Sequence, residues 1–260
     1  MEQTFRALDI PELVWKIFLD LSYKEILSLC KTSKQFSVYC RDPLLWAAKA
    51  KEDFDFPVRL FDHINITDPR QRYIQVRNYK STPAKYLVEL ASTGDLGSVV
   101  WLTSQQGVET KHINDALQTA AANGHLSVVQ WLAERVQRDR LTSAIQNASY
   151  NGHLPVVQWI AEQITSYNVG PFALANILAG ALTNAVMSDQ LHVVQWLADY
   201  IKVDRENILS AGLIIASVAG NLRMVRWLVE HGADSIQLAL KSAIQARRTS
   251  VANYFRSLQQ

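Results

Sequence analysis

A nine-residue pattern that recurs along the later two thirds of the chain limits its fold more than any other feature. It reads Gly124-His125-Leu126-Ser127-Val128-Val129-Gln130-Trp131-Leu132 and returns as Gly152-His153-Leu154-Pro155-Val156-Val157-Gln158-Trp159-Ile160. Further copies occupy residues 189–197 and 220–228. A weaker copy occupies residues 94–102, and a decayed one ends Val251-Ala252-Asn253-Tyr254-Phe255. The aromatic position falls at Trp101, Trp131, Trp159, Trp196, Trp227 and Tyr254, at intervals of 30, 28, 37, 31 and 27 residues. Self-similarity at such a period marks stacked supersecondary units, because one unit cannot bury its apolar face alone. Five of the seven tryptophans sit at this single position. They are expected to be structural and buried between units, so that Trp131→Ala costs about 3–5 kcal/mol.

Each unit carries two apolar segments around the turn. In the clearest copy, Ala116-Leu117-Gln118-Thr119-Ala120-Ala121 reads as a first helix rich in small residues. Asn123-Gly124 closes it, glycine taking the left-handed conformation that ends helices. Leu126, Val129, Trp131 and Leu132 then line a second helix. Small residues let neighbouring first helices approach, while large residues of the second helices fill the space between layers. In such a solenoid the first helices line the concave side, and residues four apart share a face. The expected binding stripe pairs Gln118 with Ala122, Gln146 with Tyr150, Thr183 with Met187 and Ile214 with Val218. Tyr150 and Met187 suit protein contacts, as an aromatic with a polar tip and a flexible thioether, with inter-unit packing the competing reading. The amides of Gln118 and Gln146 favour binding, since a wholly buried face does not select them. If the target lies elsewhere, the loops around Val108 and Asn168 are the alternative.

The first fifty residues have a different grammar. Ile10, Leu13, Val14, Ile17, Phe18 and Leu21 follow helical spacing, with Pro11 suited to the first turn. Ser22 and Glu25 form a capping-box pair for a second helix carrying Ile26, Leu29 and Cys30 inward. A third helix runs around Phe36 to Cys40, Asp42-Pro43 breaks the chain, and Leu44, Leu45 and Trp46 re-enter an apolar face. Residues 8–48 resemble the F-box family without a gap. Pro11, Glu12, Leu13, Val14, Ile17, Phe18 and Leu21 match its first block, Ile26, Leu27 and Leu29 its second, and Asp42-Pro43 with Trp46 its last. Phe36 stands where the family often has Trp, and Ser33 where it usually has Cys. The resemblance implies binding to a Skp-family adaptor and through it to a cullin of a ubiquitin ligase. The expected adaptor contacts are Pro11, Leu13, Val14, Ile17, Phe18, Leu21, Ile26 and Leu29. Helices with this much apolar surface leave a patch that implies a partner.

Residues 51–82 break both patterns. Phe54, Phe56, Leu60, Phe61 and Ile64 are too apolar for a free linker, and Asp68-Pro69 starts a helix running through Tyr73, Val76 and Tyr79. Arg70, Arg72, Arg77 and Lys80 read as a solvated face rather than a basic patch. Beyond residue 82 the units resemble the ankyrin repeat. Asn123-Gly124-His125-Leu126, Asn151-Gly152-His153-Leu154 and Val229-Glu230-His231-Gly232-Ala233-Asp234 match closely. No unit keeps the Thr-Pro-Leu-His start, and most lack the Gly-Ala-Asp end, so hairpin fingers between units are expected to shorten to loops. The fourth unit replaces its turn glycine with Asp189. Tryptophan in place of leucine resembles ankyrin variants of protist and giant-virus proteins, where F-box and ankyrin segments are joined.

The expected fold is all-α: a three-helix F-box at 1–50, a helical joint at 51–82 and an α-solenoid of about six ankyrin-like helix pairs at 83–260. A formal net charge of +2 gives no electrostatic case for nucleic acid or an acidic membrane. The apolar stretch at residues 172–187 is interrupted by Asn176, Gly180 and Asn184 and falls short of a membrane span. The start lacks the basic and apolar segments of a signal peptide. Cys30 and Cys40 give no disulfide framework and no metal spacing, which points to a reducing compartment, cytoplasmic or nuclear. His125 and His153 share a turn position and are expected to bond backbone. His63, His112, His192 and His231 lack companions for a metal. No phosphate loop or nucleophile elbow occurs. The chain is therefore expected to be a non-enzymatic adaptor without cofactor or metal, monomeric apart from the adaptor, its repeats holding an unidentified protein substrate. The alternative is a non-ligase scaffold that sequesters a protein partner.

Overall fold

The computed structural model describes residues 11–32, 34–167 and 169–258, with the backbone alone for Pro11, Glu12, Leu13 and Gln35. Among these residues there are 18 α-helices and no strand, so the protein is all-α and its repeats are joined by loops without hairpin fingers. The helices fall into two compact units. One comprises residues up to Leu87 together with Gly97–Glu109; the other comprises Val88–Leu96 and the chain from Thr110 onward.

In the first unit, α1 (Pro11–Asp20) packs on α4 (Pro43–Phe54), and α2 (Tyr23–Thr32) packs on α3 (Lys34–Tyr39). Helix α4 also holds α5 (Val58–Phe61) and α6 (Pro69–Ser81). The starts of α4 and α6 follow from local sequence. Asp42 accepts the Leu44 N–H at 2.9 Å and Asp68 accepts the Arg70 N–H at 2.9 Å, each just before a proline at the first helical position. Trp46, wholly buried, donates its indole N–H to the Cys40 carbonyl at 2.8 Å. Tyr23 stacks on Tyr73 with ring centres 5.5 Å apart, and Trp46 lies 5.5 Å from the same Tyr73 ring. The buried Lys49 ammonium is satisfied by the Leu19 carbonyl and Asp53, both at 2.7 Å, as a buried charge requires. Tyr73, Val76 and Tyr79 face inward, as their spacing predicts. The basic residues of α6 form no patch: Arg70 pairs with Asp68, Arg72 with Asp62, and Arg77 lies over the Tyr23 ring.

Helix α7 (Pro83–Thr93) contributes residues to both units, and α8 (Leu96–Thr103) belongs mainly to the first. There Trp101 is buried, donates to the Asp55 carbonyl at 3.2 Å and meets Phe56 edge-on.

The second unit is a run of helix pairs: α9 (Thr110–Ala122) with α10 (Leu126–Ala133), α11 (Arg140–Asn151) with α12 (Leu154–Ser166), α13 (Pro171–Met187) with α14 (Leu191–Tyr200), α15 (Arg205–Ala219) with α16 (Leu222–Glu230), and α17 (Ile236–Gln245) with α18 (Thr249–Ser257). First helices pack along one another in the order α9, α11, α13, α15, α17, and each second helix packs on its own first helix. The close packing rests on fully buried alanines, among them Ala120, Ala148, Ala181, Ala216 and Ala243. Behind them the valine pairs Val128–Val129, Val156–Val157 and Val193–Val194 are also fully buried.

Four of the turns bond a backbone carbonyl at the turn before them. His125 donates from Nε2 to the Ser92 carbonyl at 2.9 Å, and His153 donates to the Ala122 carbonyl at 3.0 Å. His192 reaches the Gly152 carbonyl at 2.8 Å, and Arg248 reaches the Val218 carbonyl at 2.8 Å. These bonds satisfy carbonyls at helix ends that have no partner within their own helix. They also explain the turn glycine twice over. Gly124 adopts φ +78°, and a Cβ there would lie 2.5 Å from the His153 ring. In the fourth unit Asp189 takes this conformation at φ 60°, and the next turn offers the short Asn221 instead, whose carbonyl oxygen caps its own helix at Met224. With no ring reaching back, a side chain at position 189 is tolerated.

The tryptophans depart from expectation. Trp131, Trp159, Trp196 and Trp227 are half-buried rather than enclosed between layers. The Arg135 guanidinium covers Trp131 at 3.4 Å, Tyr200 stacks on Trp196 at 4.6 Å, and His231 stacks on Trp227 at 4.0 Å. The position lies one residue before the fully buried Leu132, so helical rotation of about 100° carries the indole to the edge of the layer. Leu132→Ala is accordingly expected to cost about 2–5 kcal/mol, and Trp131→Ala less, in urea unfolding followed by circular dichroism. A second expectation concerns the turns. Gly124→Ala destabilises more than Gly107→Ala, since both have positive φ but nothing lies within 4 Å of a Cβ at Gly107. Melting of the two variants checks this, and His153→Ala in the Gly124→Ala background restores part of the loss.

Candidate protein-interaction surfaces

The first surface lies on α1 to α4. The start of α2 is a reciprocal capping box, as the sequence predicts: Glu25 accepts from the Ser22 N–H at 2.8 Å and from its hydroxyl at 2.7 Å. The hydroxyl, then the backbone N–H, hold the Glu25 carboxyl below its usual range. Of the expected adaptor contacts, Ile17, Leu21 and Leu29 are half-buried and present part of their surface. Val14, Phe18 and Ile26 are corrected to core residues, with exposures of 1%, 0% and 1%. Val14 and Phe18 stand one turn apart on a helix that packs on α4, and the Phe18 ring lies 5.8 Å from Phe36 and 6.5 Å from Tyr39. The side chains of Pro11 and Leu13 lie outside the described residues, as does Ser33.

Two exposed apolar residues escaped the sequence reading. Val38 is 69% exposed, and Leu44, expected to face inward, is 57% exposed, beside the fully buried Leu45 and Trp46. The signal was present for Leu44: three consecutive helical residues cannot share one face at about 100° per residue. The cysteines also depart from expectation. Cys30 and Cys40 form a disulfide, with Cα atoms 6.1 Å apart, that ties α2 to the turn after α3. The inference from unpaired cysteines to a reducing compartment therefore does not carry over.

The second surface lies on the first helices of the second unit. Tyr150 is 49% exposed and Met187 57%; Val218, at the same register position two residues before its turn, is 47% exposed. One turn earlier, Gln146, Thr183 and Ile214 are half-buried. The stripe thus brings together equivalent positions of the neighbouring helices α11, α13 and α15. The amides also make contacts between helices. Gln118 donates to the Arg140 carbonyl at 3.2 Å and accepts from Asn147 at 2.8 Å, so it bridges α9 to α11. The Gln146 amide fills the space over Gly180, where a Cβ would lie 2.6 Å from its nitrogen. Both are selected by packing between helices that leave part of a polar group in reach of solvent. The loop alternative at Asn168 falls outside the described residues.

Burial and a hydrogen bond to Asp53 push the Tyr73 phenol up, but Tyr73 sits in the aromatic core. Among the described residues no group of three or more His, Cys, Asp or Glu is placed to hold a metal, and no helix is long and apolar enough to cross a membrane.

Residues 8–48 match the family model of the F-box domain. The chain thus carries an F-box domain over α1 to α3 and the start of α4. F-box domains bind Skp-type adaptors, and proteins that carry them are typically non-catalytic, which indicates an adaptor role in a Skp–cullin–F-box ubiquitin ligase. No curated protein matches the chain.

The capping box has a pH consequence. Glu25 has a folded pKa below its unfolded one, so its contribution is present above the unfolded carboxylate pKa and is lost as pH falls through the lowered folded value. Amide protection at Ser22 is expected to fall over that acidic window, and Glu25→Gln to remove the dependence, as read by hydrogen exchange in NMR.

Proposed function

We propose that this protein is the substrate-recognition subunit of a Skp–cullin–F-box ubiquitin ligase, its F-box engaging a Skp-family adaptor and its helix-pair repeats holding a protein target. The F-box match over residues 8–48 carries the reading. The exposed apolar side chains Val38 and Leu44, with the half-buried Ile17, Leu21 and Leu29, are the described residues best suited to the adaptor. Large apolar side chains left exposed on a small helical segment favour a covering partner. The repeats present a separate set, Tyr150, Thr183, Met187 and Ile214 with the partly engaged Gln118 and Gln146, for the target. The chain supplies no chemistry in this scheme; it holds the target within reach of the ligase's transfer machinery.

The test is a binding titration of the full chain with a purified Skp-family adaptor. Binding is expected, with Leu44→Asp weakening it by tenfold or more, about 1.4 kcal/mol. Met187→Glu is expected to leave adaptor affinity unchanged. A folded wild-type chain that does not bind the adaptor would support the sequestering scaffold instead.

A further inference from the structure

The first helices that present Tyr150, Met187 and Val218 share a property that composition hides. Residues 141–161, 163–188 and 207–222 contain no Asp, Glu, Lys or Arg. Helix α13 has no formal charge at all, α11 has only Arg140 at its start, and α15 only Arg205 and Glu206 in its first turn. Second helices carry their few charges outside this register, Glu162 on α12, Asp199 on α14, and Arg223, Arg226 and Glu230 on α16. The neutral tract is bounded. In the same register α17 places Lys241 and Gln245, both exposed, and α9 places the small, half-buried Ala122.

Geometry selects the kind of segment that fits. Packed helices lie about 8–10 Å apart, so three equivalent side chains on α11, α13 and α15 span about 16–20 Å. A second row, Gln146, Thr183 and Ile214, runs beside the first at about one helical turn, 5–6 Å between Cβ atoms. An α-helix laid across the tract repeats its surface every seven residues, about 10.5 Å, and carries two parallel apolar rows at its a and d positions. An extended strand does not fit, because a spacing of about 10 Å is three residues and an odd step turns the side chain to the other face. A polyproline segment repeats every ~9.3 Å, but its backbone has no internal hydrogen bonds, and against an apolar tract its carbonyls would lose water that a helix's self-bonded backbone does not need. A partner's acidic or basic residue placed against the tract would lose hydration without an opposite charge to meet.

We infer that this tract is a docking site for an amphipathic helix of a protein partner, about eleven to fifteen residues long, that presents an uncharged apolar stripe to Tyr150, Met187 and Val218. The inference rests on the reading that the repeats hold a protein target, and it names that target's recognition element. Lys241, at the α17 edge, lies where a helix C-terminus or an acidic residue beyond the stripe is favoured. Binding through this tract depends on shape and apolar area, and is therefore insensitive to salt.

The test pans a library of displayed random peptides, about sixteen residues long, on the full chain and on its Met187→Glu variant, with Val218→Glu as a second variant at another exposed position. The expected winners carry apolar residues at i, i+3 or i+4, i+7 and beyond, with no charge on that stripe. Their synthetic versions are expected to bind with affinity unchanged within about twofold from about 50 to 500 mM salt, and at least tenfold weaker to either folded variant. Winners with charged or proline-spaced contact positions, equal binding by both variants, or no enrichment would overturn the inference. Adaptor titration runs in parallel. Helical winners without adaptor binding would leave the docking site standing and remove the ligase reading, while adaptor binding without such winners would do the reverse.

Discussion

The second unit depends on first helices that lie close enough for their small residues to touch. Ala120, Ala148, Ala181 and Ala216 are wholly buried where larger side chains would hold the helices apart. Close approach also brings successive turns within reach, and the reach is used. An imidazole from one turn bonds the orphan carbonyl of the turn before, which only a glycine leaves room for. Helix spacing, turn glycine and turn histidine are thus one constraint expressed at three positions. The fourth unit supports this by contrast, since Asp189 replaces glycine where Asn221 replaces the reaching side chain.

The same arrangement divides labour between the two helices of each unit. Second helices carry the valine pairs and leucines that close the layer, with tryptophans at its edge under arginine, tyrosine or histidine. First helices are fixed by alanine on two flanks and are left free on a third. That free face is where Tyr150, Met187 and Val218 emerge. In the first unit the organising element is the aromatic set around Trp46 and Tyr73, which anchors α4 and α6 and leaves Val38 and Leu44 outside it.

Much of this was legible in the chain. The period of the Gly-x-Leu motif, the capping pairs Ser22–Glu25, Asp42–Pro43 and Asp68–Pro69, and the inward spacing of Tyr73, Val76 and Tyr79 are local signals, and local signals survive folding. The backbone bonds of His125 and His153 are what the resemblance of their turns to the ankyrin repeat implies. Failures occurred where a side chain's environment comes from another helix. Val14 and Phe18 look the same in sequence as Ile17 and Leu21; only contact with α3 and α4 separates core from surface. Cys30 and Cys40 are ten residues apart, a spacing that carries no signal until α2 and α3 fold against each other.

The sequence by itself determined that the protein is all-α, where several of its helices are capped or closed, that its later part repeats, and that its first fifty residues have the F-box pattern. These follow from periodicity, turn chemistry and capping, which act over a few residues. Tertiary structure alone decided that four of the tryptophans stand at the edge of the layer, that Gln118 bridges helices and Gln146 packs over Gly180, and that three neighbouring helices align Tyr150, Met187 and Val218 on one face. Burial, bridging and alignment are properties of neighbours some thirty residues away, and a one-dimensional pattern holds no term for them.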